Sequence, residues 1–443
     1  MFQPARTAAL SCILMLLVGF SATAGDWPQW LGPQRDSVWR ETGIVDQLPT
    51  AGLPVKWRAE VALGYSGPAV AEGKVFVASF APRSGDVTNN PGGRDKIEGT
   101  ESIVCLDAAT GHVLWKAPFE RTYNISYPGG PRCTPTVSGG KVYMLGAMGD
   151  LSCLDATDGR ALWSKNLPAE YQFETPFWGC AAHPLVDGDL LYCLAGGKGS
   201  VAIALDKHTG REVWRALSAT EPGYCPPTMI EHGGAKQLLI WHPEALNSLD
   251  PQTGAVYWSI PLAPSYAMSI TAPRQSGPYL YGSGIGNAAA LLKLDDAKPA
   301  AEVLWRGDAK NAIYCANSTP LMIDDMIYGA DCKLGALIGA RLQDGERLWQ
   351  TFVPTAGGDR RVSHGNAFLV RHQDRCFLFS ETGDLILAKL SPAGYQELGR
   401  MHVLEPTSDV FGRKVAWSHP AFAERCVFAR NDKELVCVSL AAD

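Results

Sequence analysis

Residues 105–115 read CLDAATGHVLW, and three later stretches follow the same pattern. They are CLDATDGRALW at 153–163, ALDKHTGREVW at 204–214 and SLDPQTGAVYW at 248–258. Each has a Leu-Asp pair, a glycine four residues after the aspartate and a tryptophan four residues after the glycine. Self-similarity of this kind indicates a repeat architecture, and it overrides the two or three domains that chain length alone suggests.

Weaker copies end at Trp305 and Trp349, and from Trp115 onward these tryptophans are 44 to 51 residues apart. That period suits one four-stranded propeller blade per repeat. Each repeat opens with a short apolar strand, in most cases directly after a proline. Eight such first strands are expected, beginning near Pro68, Pro135, Pro184, Pro227, Pro273, Pro320, Ala367 and Pro420.

The two ends of the repeat region complete each other. The last repeat stops at residues 435–440 with no outer strand, whereas Trp57 lies in an outer strand with no repeat before it. We therefore predict an all-β, eight-bladed β-propeller of four-stranded antiparallel blades, with the N-terminal strand at 53–62 completing the last blade. Such closure pairs both chain ends and removes open sheet edges.

The first 24 residues have the features of a signal peptide. Arg6 precedes an apolar run over residues 8–20, and Ala22-Thr23-Ala24 fits the small-residue cleavage rule. Cys12 lies too early in the run to suggest a lipid anchor, and no later stretch is apolar enough to span a bilayer. We expect an exported protein, periplasmic or extracellular, with a Trp- and Pro-rich lead-in at 25–52 and the propeller domain at 53–443.

The net charge bears on the class of partner, and the cysteine content bears on disulfide formation. A net charge of −6 with mixed signs does not favour nucleic acid. Eleven cysteines follow the signal segment, an odd number, and most lie in apolar strands where they act as small hydrophobes. Asn431-Asp432 predicts a two-residue hairpin turn that sets Cys426 opposite Cys437. We favour two facing thiols over the alternative, a strained disulfide.

The repeated stretches resemble the tryptophan-docking motif of the pyrroloquinoline-quinone-like (PQQ-like) repeat family, which includes quinoproteins and BamB-like propellers. The resemblance covers residues 53–440, and the lead-in at 27–33 also resembles exported bacterial members. In that family the tryptophan stacks between neighbouring blades. The resemblance therefore implies a structural docking role for Trp57, Trp115, Trp163, Trp214, Trp258, Trp305 and Trp349.

The resemblance leaves two function classes open. The first is a non-catalytic exported binding or scaffold propeller, similar to BamB-like proteins. The alternative is a PQQ-dependent quinoprotein oxidoreductase acting on an alcohol or sugar with PQQ and calcium. The sequence lacks the vicinal cysteine pair of the quinone alcohol dehydrogenases, a recognisable calcium set and a haem-attachment motif. We therefore favour the first class and assign no catalytic residue, metal or cofactor.

One pattern suggests a binding site. The loop that precedes each first strand carries an aromatic residue or a histidine, so these rings should surround one mouth of the central channel: Tyr65, Tyr127, Trp178, Tyr224, Tyr266, Tyr314, His364 and Trp417. Polar neighbours accompany them: Arg132, Glu174, His183, Glu221, Arg274, Asn317, Arg360, Arg361, Arg413, Lys414 and His419. The rings either form a funnel for a ligand or protein partner, or plug the axis. A long insertion at 81–102 should lie on the same face, as a lid or a partner-binding loop.

Overall fold

The computed structural model describes residues 25–49 and 51–442, so the predicted signal segment lies outside the described residues. Eight four-stranded antiparallel sheets form a ring, and one two-stranded hairpin stands beside them. The predicted all-β, eight-bladed propeller is confirmed. The described part of the chain has no helix of the length and hydropathy that a membrane crossing requires.

Blades 1 to 7 each use four strands in chain order from the channel outward, and we number the blades from the first complete sheet. The strands of blades 1 to 4 are Ala69–Ala71, Lys74–Ser84, Asp95–Asp107, Val113–Ile125; Thr136–Ser138, Lys141–Leu145, Asp150–Asp155, Ala161–Asn166; Leu185–Asp187, Leu190–Leu194, Ala202–Asp206, Glu212–Ala216; and Thr228–His232, Ala235–Trp241, Ala245–Leu249, Val256–Pro261.

The strands of blades 5 to 7 are Arg274–Ser276, Tyr279–Gly284, Ala288–Leu294, Ala301–Arg306; Leu321–Ile323, Met326–Asp331, Ala336–Arg341, Arg347–Thr351; and Ala367–His372, Arg375–Ser380, Asp384–Ser391, Gly394–His402. Blade 8 contains Ala421–Ala423, Cys426–Arg430, Glu434–Ser439 and the early strand Val55–Glu60. The remaining elements are the hairpin of Ser408–Val410 and Arg413–Val415, the short helices Leu167–Tyr171 and Val353–Ala356, and a 3₁₀ turn at Ser265–Ala267.

Ring closure follows the prediction. The early strand Val55–Glu60 pairs antiparallel with the last strand Glu434–Ser439, with Trp57 opposite Cys437. Blade 8 is therefore built from both ends of the chain. Separation of the ends would expose unpaired strand edges, which closure removes.

The repeated tryptophans connect each blade to the next. Trp115 of blade 1 donates its indole N–H to the Ala156 carbonyl of blade 2 at 3.3 Å. A Cβ built on Gly159 of the same blade 2 turn would stand 2.4 Å from that indole ring. Glycine is therefore required at this position for two reasons. It adopts the positive φ of 75°, and its lack of a Cβ lets the indole ring approach closely. Five more tryptophans donate in the same way to the next blade: Trp57, Trp163, Trp214, Trp305 and Trp349.

Trp258 of blade 4 departs from this rule. Its indole N–H donates to the Gln237 side chain of its own blade at 3.0 Å. The corresponding turn of blade 5, residues 295–300, contains no glycine. The glycine that admits the ring at five other junctions is absent here, and the indole takes an acceptor within its own sheet.

The lead-in crosses one end of the channel. Trp27 exchanges two backbone hydrogen bonds with Val70 in the first strand of blade 1, at 2.8 and 2.9 Å. Further along, Arg35 donates to the carbonyls of His183 and Pro184 beside blade 3. Only four residues later, the Trp39 N–H donates to Arg371 O in blade 7. Blades 3 and 7 stand on opposite sides of the ring, so this segment spans the axis and closes it.

The predicted register of the last hairpin is wrong. The structure pairs Cys426 with Ser439 and Phe428 with Cys437, a shift of two residues. The Asn431 side-chain oxygen accepts hydrogen bonds from the N–H groups of residues 433 and 434, which widens the turn beyond two residues. A shift of two keeps both cysteines on one sheet face, and the nearby Cys437 thiol lowers the pKa of Cys426. All eleven described cysteines are buried and free.

Candidate functional site

A cavity of about 740 Å³ opens at the channel mouth. Its wall is dominated by aromatic side chains supplied by loops from around the ring. Ten of them line it: Trp30, Tyr65, Tyr127, Phe177, Trp178, Tyr224, Tyr266, Phe368, Phe411 and Trp417. Three histidines join them, together with Arg132 and Asn317. The volume lies in the range of ligand pockets, roughly 300–1,000 Å³.

Most of the residues selected from the sequence meet at this cavity. The structure brings together Tyr65, Tyr127, Arg132, Trp178, His183, Tyr224, Tyr266, Asn317, His364, Trp417 and His419. This placement follows from the repeat, because equivalent loops of a propeller lie on the same face. The funnel geometry is therefore present, and its use in binding remains a prediction.

Eight of the selected residues do not line the cavity: Glu174, Glu221, Arg274, Tyr314, Arg360, Arg361, Arg413 and Lys414. The Tyr314 ring is buried beneath the Arg347 guanidinium, at 5.7 Å from the ring centre, and its hydroxyl donates to Asp308 O. Arg274 donates to the carbonyls of Arg35 and Asp36 in the lead-in, so it fixes the crossing segment. Arg361 is exposed and donates to Lys333 O.

Other lining residues were not selected from the sequence. Phe177 directly precedes Trp178, and a pattern of one ring per loop identifies only one of the two. Phe411 lies in the turn of the hairpin Ser408–Val415, which has no counterpart in the other repeats. Trp30 comes from the lead-in and stacks on His183, with ring centres 4.7 Å apart and planes inclined by 11°. Only the path of the lead-in places Trp30 against the floor of the cavity.

Arg132 is the one charged side chain among the lining residues. Its guanidinium donates to four backbone carbonyls, those of Trp178, Gly130, Ser126 and Tyr127. It also lies over the Tyr65 ring at 5.3 Å from the ring centre. Most of its N–H groups are therefore engaged by the protein, and the side chain braces the loops of blades 1 to 3.

The three lining histidines are held in the neutral form. Burial lowers the pKa of His419 to about 4. Burial, reinforced by the charge of Arg35, lowers the pKa of His183 well below its usual value. Burial and Arg413 lower that of His364 as well. An imidazole withdrawn from water disfavours its cationic form, so these groups offer uncharged donors and acceptors at neutral pH.

A carboxylate supports the wall from behind. Glu381, only 2% exposed, accepts the indole N–H of Trp417 and the Arg413 guanidinium, each at 2.8 Å. Burial raises the pKa of Glu381, while both hydrogen bonds act in the opposite direction. Glu381 does not line the cavity. Its carboxylate pairs with Arg413 and orients the Trp417 indole.

The predicted insertion lies over the mouth. The second and third strands of blade 1 extend beyond the sheet, and residues 85–94 join them as a loop that we call the flap. Asn89 in the flap accepts the Tyr65 hydroxyl at 2.7 Å and donates to Asp409 O of the Ser408–Val415 hairpin at 3.0 Å. Arg94 lies over Phe177, and Pro91 lines the cavity. The flap is therefore joined to both sides of the mouth.

Comparison with protein families agrees with this architecture. A family model described as outer membrane protein assembly factor BamB matches residues 39–172 and 99–351. The chain belongs to the PQQ-like, BamB-like β-propeller family. A sequence search of curated proteins gives no match for this family member.

Solved structures resemble this BamB-like chain in fold. BamB from Moraxella catarrhalis has 16% identity and a TM-score of 0.55, over 87% of this chain and 97% of that one. The quinohemoprotein alcohol dehydrogenase from Comamonas testosteroni has 13% identity and a TM-score of 0.59, over 94% and 80%. A europium-containing methanol dehydrogenase has 13% identity and a TM-score of 0.56, over 94% and 89%. At such identities the likeness is one of fold, which proteins of different function share.

The lining of the BamB-like cavity can be compared with what PQQ and calcium require. PQQ carries several carboxylates, and calcium takes 6–8 oxygen ligands, with carboxylates prominent among them. No aspartate or glutamate lines the cavity. Across the described residues, no group of three or more His, Cys, Asp or Glu is placed to hold a metal. Arg132, the one cation, is bonded to backbone carbonyls. The donor set does not fit PQQ with calcium.

Proposed function

We propose that this chain is a non-catalytic binding propeller whose cavity at the channel mouth takes a ligand or a segment of a protein partner. The observation that carries the proposal is the lining: ten aromatic side chains, neutral histidines and no carboxylate. Such a wall offers contact area and orientation, but no acid, base or nucleophile with an evident role. The name of the matched family, an assembly factor, supports a protein partner.

The alternative, a quinone-dependent dehydrogenase, is supported by the likeness in fold to the alcohol and methanol dehydrogenases. That likeness is one of scaffold, and the residues that line this cavity do not fit PQQ with calcium. We therefore rank the enzyme second and propose no metal and no cofactor for this chain.

The test is reconstitution of the purified protein with PQQ and calcium. We expect no quinone absorbance to remain after desalting, and no dye reduction with ethanol or glucose above that of the protein alone. A PQQ-dependent alcohol dehydrogenase treated in parallel serves as the positive control. Retained quinone together with quinone-dependent dye reduction would reverse the ranking.

We also propose export, with cleavage after Ala24, on the basis of the sequence of residues 1–24. Residues 25–52 would then form the lead-in of the mature chain, and 53–443 the propeller domain. Mass spectrometry of the protein from a periplasmic fraction should give a chain that begins at Gly25. A chain that retains its first 24 residues and stays with the cytoplasmic fraction would contradict the proposal.

A further inference from the structure

We propose that the cavity binds an uncharged small molecule built around an aromatic or alicyclic ring. This inference rests on the proposed binding function, because it names the ligand class of the same site. Three independent features of the lining support the inference. They are its charge, its aromatic surface and the backbone conformation of the residues that carry the rings.

The charge of the lining disfavours ions of either sign. An anion would lose its hydration and find one guanidinium, Arg132, whose N–H groups already bond four backbone carbonyls. A cation would gain attraction from the aromatic faces, but it would meet the same guanidinium as a like charge and would find no carboxylate in the wall. Burial of an unpaired ion is costly, whereas a neutral molecule avoids that penalty.

The aromatic surface suits a ring. Trp178 contacts Phe177 and Tyr224 edge-on, with ring centres 4.9 and 6.0 Å away, so neighbouring rings already form a continuous wall. A flat or chair-shaped ring can stack on such surfaces and exclude water. Asn317 and the neutral histidines supply a few uncharged polar groups that can orient it.

The backbone conformation shows that ring placement is maintained at a cost. Tyr127, Tyr266, His364 and Phe411 have φ values of 53°, 60°, 56° and 51°, in the left-handed region that side chains rarely adopt. No other aromatic residue or histidine in the described ranges has a positive φ, and all four line the cavity. Strain of this kind persists where surrounding structure enforces it, commonly at ligand sites.

Two of these rings are also left in solvent. Tyr266 is 75% exposed and Phe411 is 50% exposed, although Phe411 stacks on His364 with ring centres 5.1 Å apart. Both stand at the rim of the cavity. Contact with a ligand that contains a ring would remove this apolar surface from water, which favours binding.

The test uses two probes with the same ring system. N-phenyl-1-naphthylamine is uncharged, and 8-anilino-1-naphthalenesulfonate adds one sulfonate to it. Fluorescence titration of the purified protein should give single-site binding of the uncharged probe, at least about tenfold tighter than the sulfonate. A third titration uses a cation, trimethyl(1-naphthylmethyl)ammonium. We expect it to bind as weakly as the sulfonate.

Rim variants locate the probe. Tyr266→Ala and Phe411→Ala should each weaken the uncharged probe about three- to tenfold, the size expected for one lost aromatic contact. Because both side chains are largely exposed, folding should survive, and circular dichroism checks it. Leu114→Ala, an exposed residue on the outer strand of blade 1, is the matched control and should change nothing.

The outcomes separate the inference from the proposed function. If a charged probe binds as tightly as the uncharged one and both rim variants weaken it, the ligand class is wrong while binding at the cavity stands. If no probe binds, or if the rim variants leave binding unchanged, the ligand class is overturned, while the proposed binding function, which also admits a segment of a protein partner, still stands.

Discussion

The indole of Trp57 lies directly against Gly111, so that a Cβ on Gly111 would stand 2.6 Å from the ring. The same indole donates a hydrogen bond to Ala108 O at 2.9 Å. Trp57 belongs to blade 8 and Gly111 to blade 1, so this contact joins the two ends of the repeat region. In a ring, one such junction must connect the end of the chain to its beginning.

Trp57→Ala should therefore destabilise the whole ring. Loss of a buried tryptophan leaves a cavity, and we expect the free energy of unfolding to fall by about 3–5 kcal/mol. Chemical denaturation followed by tryptophan fluorescence measures it. Val55→Ala, on the same strand but 44% exposed, should cost far less. Equal losses in the two variants would show that the indole has no special part in closure.

The motif glycines can be tested with a matched pair. Gly159 and Gly139 both have positive φ, 75° and 57°. A Cβ on Gly159 would stand 2.4 Å from the Trp115 ring, whereas a Cβ on Gly139 meets nothing within 4 Å. Both alanine variants carry backbone strain, but only Gly159→Ala also displaces an indole. We expect it to unfold more easily than Gly139→Ala by about 1–3 kcal/mol, the usual cost of overpacking. Indistinguishable melting curves would contradict the close packing of the Trp115 indole against Gly159.

Glu101 makes stability depend on pH. Burial raises the pKa of Glu101 from 4.5 to about 7, although the hydroxyl of Tyr123 and the N–H of Ala147 donate to it. A raised carboxyl pKa means that the folded state prefers the proton. Its contribution to stability is complete below pH 4.5 and is lost as pH rises through 7.

Glu101→Gln removes that dependence, and the amide nitrogen can occupy the place of Oε1, which has no hydrogen-bond partner. At pH 8 the variant should be more stable than the parent by up to about 3 kcal/mol, and the advantage should vanish near pH 4. Denaturation curves across this range measure the difference. Glu98→Gln, half-exposed on the same strand, should show no such trend. A variant less stable at pH 8 would mean that the ionised carboxylate is favourable here.

The flap depends on Asn89, which bonds Tyr65 on one side and Asp409 on the other. Asn89→Ala removes both links and leaves the blades intact. We expect faster hydrogen exchange over residues 85–94 and 408–415, with unchanged exchange in the sheets and an unchanged melting temperature. Thr88→Ala is the control, because its N–H bonds Asp86 within the flap. Unaltered exchange at 408–415 would show that the flap and the hairpin are not coupled.

Loop rings were predictable where the repeat was regular. Position relative to the first strand was enough to place Trp178 and Tyr224 at the mouth, because equivalent loops share a face. The same rule failed for Tyr314, since the nearby Arg347 and Asp308 offered its ring and hydroxyl better partners inside the protein. The rule also omitted Phe411, because this residue lies in a hairpin that has no counterpart in the other repeats.

The sequence by itself determined the number of blades, their strand order and the closure of the ring. The blades and their strand order follow from short-range patterns, the period of the Leu-Asp, glycine and tryptophan positions, which four repeats carry in full and others in part. Closure follows from the incomplete last repeat and the early outer strand that contains Trp57. Only the tertiary structure decided the path of the lead-in, which carries Trp30 onto His183, and the shifted pairing of Cys426 with Ser439. Both depend on contacts between distant segments or on a side chain that caps a turn, and local sequence does not encode the competition among such partners.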